Sequence, residues 1–185
     1  METVYFDKRK DWRKWLEKNF QNKEEIWLIY PKKESGKPRI VYNDAVEEAL
    51  CFGWIDSNLK SIDEEHSAQK FTPRNPKSKF SQANIERLRW LDKMKMIHPS
   101  ISDSIQKVIR QKFIYPQDII EQIKRDPSAW SNYQKLSDTY KRIRIAYIEA
   151  ARNRPEEFEK RLKNFIAKTN QNKLIRGHGG IEKYY

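Results

Sequence analysis

The sequence predicts an α+β fold: a small antiparallel sheet of two hairpins, with an N-terminal helix before it and a C-terminal cluster of helices after it. Three observations lead there. The β-rich runs all lie before residue 80 and are separated by Gly- and Pro-bearing turns. The apolar period changes from strand-like to helical at Ser81. Beyond it, segment after segment opens on a proline or a capping side chain.

In chain order, Asp7 is placed to cap a helix whose Trp12, Trp15, Leu16 and Phe20 recur at the spacing of one buried stripe. The runs EIWLIY (25–30) and RIVY (39–42) flank PKKESGKP, a turn-forming stretch, and read as the first hairpin. Asn43 is placed to cap a helix through Leu50, with Val46, Ala49 and Leu50 inward and Gly53 as its stop. A second hairpin pairs Trp54–Lys60 with Ala68–Thr72 across the polar IDEEHS turn. Ser81 then caps a helix with Ile85, Leu88, Leu91 and Met94 on one face.

Pro99 opens a helical stripe of Ile101, Ile105, Val108 and Ile109, Pro116 opens one with Ile119, Ile120 and Ile123, and Asp126-Pro127 is a cap followed by a first-turn proline. Ser137 starts a helix with Tyr140, Ile143, Ala146, Tyr147 and Ala150 inward, and Pro155 starts one that buries Phe158, Leu162, Phe165 and Ile166. The sequence thus divides into a sheet-containing part at 1–80, a helical part at 81–172 packed on it as one unit, and a tail at 173–185 without periodicity.

A chain of 185 residues with six Trp, nine Tyr and eight Phe can bury a substantial core, which separates it from disordered basic proteins. One Cys excludes an intramolecular disulfide and suits a reducing compartment. No apolar run reaches the roughly 18 residues of a membrane span, and the charged N-terminus lacks a signal-peptide centre, so no membrane insertion and a cytoplasmic location are expected. The net charge of +12 is uneven: residues 1–80 hold 16 basic and 14 acidic side chains, residues 81–185 hold 22 and 12. Such a surplus can meet phosphates or acidic partners, or can simply be the solvated faces of helices.

Standard cofactor motifs are missing. There is no phosphate-binding GxxxxGK[ST] and no GxGxxG after a strand, and the His-Gly-Gly near the C-terminus lacks the strand and helix of a phosphate cradle. His66, His98 and His178 are far apart in sequence and cannot form a recognised zinc pattern with one Cys, so no metal and no cofactor is expected. Cys51 follows a buried helical face and reads as a packed thiol.

The stretch from Cys51 to Arg87 mixes residue types beyond what amphipathic patterning requires. Alternation puts Trp54 and Asp56 on one side of a strand, as a ring beside a carboxylate. Two prolines make a rigid elbow at 71–77, within a segment where Lys70, Arg74, Lys77 and Lys79 have no acid among them. Ser81, Asn84 and Arg87, spaced by three, converge near a helix N-terminus, where free N–H groups attract anions. Trp54, Asp56, Arg74, Lys77, Ser81, Asn84 and Arg87 are therefore the expected ligand-binding residues. The alternative is that Asp56 is consumed by an internal ion pair with Arg74 or Arg87 and Ser81 only caps its helix.

The stretches EEALCFGWIDS, QKFTPRNPKSKFSQANIERLRWL and LSDTYKRIRIAYIEAARNRPEEFEKRLKNFIAK resemble the bacterial YdeI/OmpD-associated, or bacteriocin-protection, family. Its pattern falls on Cys51–Asp56, Phe71–Arg74, Pro76, Ser78, Phe80, Ser81 and Asn84, with Phe80 where the family usually has Trp and Ser57 where it usually has Gly. The resemblance implies protection against antimicrobial peptides and envelope stress, and by that route alone a link to an envelope protein. It implies no reaction.

Three functions are weighed on this basis. The first is a binding and stress-protection protein holding a small anionic ligand or an acidic protein segment near residues 54–87. The second is a nucleic-acid-binding protein using Arg142, Arg144, Lys160, Arg161 and Lys163 on phosphates. The third is an enzyme with Asp56 as acid or base beside Ser81 or Cys51.

Overall fold

In a computed structural model, residues 1–177 and 180–185 are described, and the chain forms two compact units: Met1–Lys79 with Leu88–Lys107, and Phe80–Arg87 with Val108–Tyr185. His178 and Gly179 of the His-Gly-Gly stretch lie outside the described residues.

The first unit is built on a four-stranded sheet of β1 (Thr3–Tyr5), β2 (Ile26–Pro31), β3 (Trp54–Ser61) and β4 (His66–Pro73), in the order β1-β2-β4-β3. The expectation of an antiparallel sheet of two hairpins is corrected here, because β1 runs parallel to β2 and makes the sheet mixed. The second hairpin forms as expected, with β3 antiparallel to β4. The first does not: the antiparallel partner of β2 is β4, and residues 39–41 form no strand, residue 42 already being helical. Ile40 there donates its N–H to the Phe6 carbonyl at 3.3 Å, and the Arg39 guanidinium donates to the Pro31 carbonyl at 2.8 Å, so the segment is tied down by separate bonds instead of a ladder.

Helix α1 (Arg9–Asn19) lays its tryptophans on the sheet. Trp12 is fully buried, contacts Phe71 of β4 at 5.3 Å between ring centroids and donates its indole N–H to the Ala45 carbonyl. Asp7 does not cap this helix; Lys8 occupies the capping position with no side-chain bond. Helix α2 (Tyr42–Cys51) likewise starts one residue before the expected cap, with Val41 at its N-cap and Asn43 inside the first turn, where its amide donates to Glu47 Oε1 at 2.7 Å. The stop at Gly53 is as read: φ is +75°, a conformation that favours a residue without Cβ.

Helix α3 (Gln82–Lys93) contributes residues 82–87 to the second unit and 88–93 to the first, and α4 (Pro99–Ile109) contributes 99–107 to the first. The second unit holds α5 (Gln117–Lys124), α6 (Pro127–Lys135), α7 (Asp138–Glu149) and α8 (Pro155–Asn170). Asp126 caps α6 through the Ala129 N–H with Pro127 following, and Ser137 caps α7 through the Tyr140 N–H. Ile119, Ile123, Tyr133, Tyr140, Ile145, Ile148, Leu162 and Phe165 form its core. Tyr147, expected inward, is 37% exposed. The tail docks within this unit: Ile181 and Tyr184 are buried, and Tyr185 stands edge-on to Tyr140 at 4.7 Å.

Candidate functional site

On the face of the first unit's sheet that carries Phe71 and meets Trp12, the strand register brings together Tyr30 and Ser67, Leu28 and Gln69, and Ile26, Phe71 and Asp56. Directly paired residues share a face, so polar side chains interrupt an otherwise apolar inner surface. A bulge in β3 between Asp56 and Leu59 shifts the register, and Gln69 donates its amide to the Ser57 carbonyl at 3.0 Å inside it. With the segment from Arg39 to Tyr42 this face encloses a hollow of about 530 Å³, lined by Tyr30, Arg39, Ile40, Val41, Tyr42, Leu59, Ser67 and Gln69.

Tyr30 is 6% exposed, and its hydroxyl is buried with no hydrogen-bond partner among the described residues. Burial raises the phenol's pKa well above its ordinary value; Tyr42 and Asp56 add to the rise, and Arg39 opposes it. The group is therefore a neutral O–H donor with nothing to donate to, which costs about 1–3 kcal/mol. Around it, Tyr42 donates to Asp56 Oδ2 at 2.5 Å, and Arg39 is steadied on the Pro31 carbonyl. Val41 and Leu59 are 62% and 65% exposed, so the hollow has one polar wall and an apolar lip open to solvent.

The same unit holds an ionic network that the sequence expectations did not include. Glu47 and Glu48 of α2 are buried at 0% and 1% exposure. Arg9 reaches Glu48 at 2.5 Å, Glu47 at 2.7 Å and Asp44 at 3.1 Å, and Arg13 reaches Glu48 at 2.7 Å and the Met96 carbonyl at 2.9 Å. Three carboxylates thus face two guanidinium groups, the arrangement that buried charge requires. The sequence did carry a signal: two adjacent acids inside an apolar helical run, and two arginines four apart on α1. For Tyr30 the signal was Ser67 and Gln69 standing at alternate, inward positions of β4.

The structure disperses the expected site residues. In the first unit Trp54 is 1% exposed, packs against Trp15 and donates its indole N–H to the Phe20 carbonyl at 3.0 Å, so it is a core residue and offers no face to a ligand. Asp56 is the one that reaches the hollow, through Tyr42. Arg74 donates to the Ser78 and Asn75 carbonyls, and the Lys77 N–H bonds to Asn75 Oδ1 at 2.9 Å, so the elbow is closed on itself. In the second unit the Ser81 hydroxyl accepts from the Asn84 N–H at 3.3 Å as a helix cap. Asn84 Oδ1 accepts from Arg87 at 2.9 Å, and Arg87 is buried.

Other expected chemistry also meets specific surroundings. Cys51 is fully buried; desolvation and the Glu48 carboxylate push its thiol up to about 12, Arg13 opposing, which leaves it protonated and unsuited to attack. Of the five cations assigned to phosphates, Arg142 bonds Glu86 at 2.6 Å, Arg161 bonds Glu157 at 2.7 Å and Arg144 is buried. Among the described residues no helix is long and apolar enough to cross a membrane.

Fold and hollow together define an α+β protein with a mixed sheet and a ligand-sized, partly polar recess on its helix-bearing face. The chain belongs to the family described as Domain of unknown function (DUF8412), whose model matches residues 4–104, and residues 112–172 match the model described as Bacteriocin-protection, YdeI or OmpD-Associated. Of the stretches that carried the resemblance, Leu136 to Lys168 lies inside the second match, whereas EEALCFGWIDS (47–57) and the stretch 69–91 both lie inside the first. No curated protein and no solved structure matches the chain.

Proposed function

We propose that the protein is a binding protein of the bacteriocin-protection type whose first unit holds a small monocarboxylate in the hollow between Tyr30 and the Arg39–Tyr42 segment. This keeps the small anion expected from the sequence and assigns it to residues other than Arg74, Lys77, Ser81, Asn84 and Arg87. The observation that carries the reading is the Tyr30 hydroxyl, buried on the wall of the hollow without a partner. An incoming acceptor oxygen satisfies that donor, and Arg39 supplies a guanidinium suited to a carboxylate.

Charge favours one negative group over two. Arg39 is the single cation of the lining, and the Asp56 carboxylate lies close enough to act on the Tyr30 hydroxyl. A phosphate dianion meets that carboxylate's repulsion without a second cation to offset it. Ile40, Val41 and Leu59 offer apolar surface for the rest of the molecule.

The test is a calorimetric titration with a panel of small monocarboxylates against wild type, Tyr30→Phe, Arg39→Ala and Arg74→Ala. A saturable binder is expected that loses about tenfold or more in affinity in Tyr30→Phe and in Arg39→Ala but keeps it in Arg74→Ala. Loss in Arg74→Ala with retention in Tyr30→Phe would return the site to the elbow, against this reading.

A further inference from the structure

The second unit carries its own recess, of about 270 Å³, on the faces of α7 and α8. Its distinctive member is Arg144. This side chain is 2% exposed, yet its only hydrogen bonds among the described residues run from Nη2 to the Ile175 carbonyl and, at 2.8 Å, to the Tyr185 hydroxyl. Its Nε is buried with no partner, and no carboxylate among the described residues lies within ion-pair distance of it. The guanidinium is held instead over two rings, 5.3 Å from Tyr140 and 5.9 Å from Tyr185. Buried guanidinium groups ordinarily come with an anion. Contrast Arg9, with three carboxylates in reach.

The opposite wall supplies more positive charge. Glu157, Lys160, Arg161 and Asn164 follow one another at helical spacing on α8 and line the same recess. Glu157 is taken up by Arg161 at 2.7 Å, and Arg161 in turn lies 3.8 Å from the Tyr147 ring centroid and donates to the Tyr147 carbonyl. Counting Arg144, Lys160 and Arg161 against Glu157, the lining carries a formal charge of +2. Ile148, Phe165 and Ile175 complete it with apolar surface.

We infer that this recess is a second anion site, built for a doubly charged phosphate group on a small molecule with an apolar or flat body. Arg144 and Lys160 hold the phosphate oxygens, Asn164 donates beside them, and the body lies along Ile148 and the Tyr147–Arg161 stack. The site differs in charge from the monocarboxylate hollow of the first unit, which has one cation in its lining. Neither site depends on the other.

The probe is phenyl phosphate, titrated by calorimetry into the full chain. Saturable binding is expected, weakened about tenfold by Lys160→Ala and by Asn164→Ala and lost in Arg144→Gln, with Tyr30→Phe unaffected. If Arg144→Gln fails to fold, judged by circular dichroism, the two rim variants decide. Absence of binding to wild type, wild-type affinity retained in both rim variants, or retardation of a random oligonucleotide by a chain that ignores phenyl phosphate would each overturn the assignment.

Discussion

At the scale of single residues, Tyr30 is the side chain whose removal separates binding from folding. Tyr30→Phe deletes one oxygen that has no partner, so the unliganded variant should be as stable as wild type or more stable by about 1–3 kcal/mol, measured by urea denaturation. A structural hydroxyl would give the opposite sign. Cys51 supplies a second residue-level test. With its thiol pushed up to about 12, it should not react with a thiol reagent at pH 8 in the native protein and should react fully on unfolding. Gly53, at φ +75°, should cost about 1–2 kcal/mol when changed to Ala, from backbone strain alone, since the added Cβ would meet Ile101 at an ordinary 3.6 Å. Single residues were unevenly legible. Gly53 as a helix stop and Ser137 and Asp126 as caps follow from local chemistry, whereas Tyr30 sits in a β-run where a tyrosine reads as core, and its missing partner is a property of everything packed around it.

At the scale of elements, α2 is the piece most dependent on long-range partners. Its acids are held by arginines 35 to 39 residues away, so Glu48→Gln should destabilise the first unit by about 3 kcal/mol, seen as a lower urea midpoint. Lys23→Ala, which breaks the exposed pair with Glu2, should change it by less than about 1 kcal/mol. The β3–β4 hairpin and the helices after residue 80 were readable because their signals are local: alternation, a polar turn, proline starts and caps. Two elements were not. The strand β1 is three residues long with a largely exposed pattern, and it pairs with β2 some 24 positions on, so no periodicity marks it. The RIVY run has the residues of a strand, but β4 occupies the antiparallel edge of β2 and β1 the other, leaving it no edge of β2 to join. The expected binding surface failed at this scale too, since Arg74 closes the proline elbow on its own carbonyls and Trp54 turns into the core.

For the whole molecule, the surplus of positive charge and the carboxylates bound by it set the pH range of stability. Glu25, Asp63, Glu65, Asp118, Asp126 and Glu157 are all held below the usual carboxylate range, Glu25 by Lys70, Asp63 and Asp126 by backbone N–H groups, Glu65 by Lys37, Asp118 by Arg152 and Glu157 by Arg161. Groups depressed in the folded state stabilise above their unfolded pKa and lose that contribution as pH falls through the folded one, so the thermal midpoint should fall below about pH 4. Cys51 works in the other direction. Its raised pKa favours the folded chain below the unfolded thiol value, and that contribution is lost between there and about 12 as pH rises. The midpoint should therefore form a plateau across neutral pH with a decline at each end.

The measurement that bears most directly on the central claim is the paired titration of wild type and Tyr30→Phe with small monocarboxylates. At least one should bind wild type saturably and bind Tyr30→Phe about tenfold or more weakly, while the unliganded variant melts no lower than wild type. Equal affinity in the two proteins, no binder in the panel, or a variant that melts lower without ligand would contradict it.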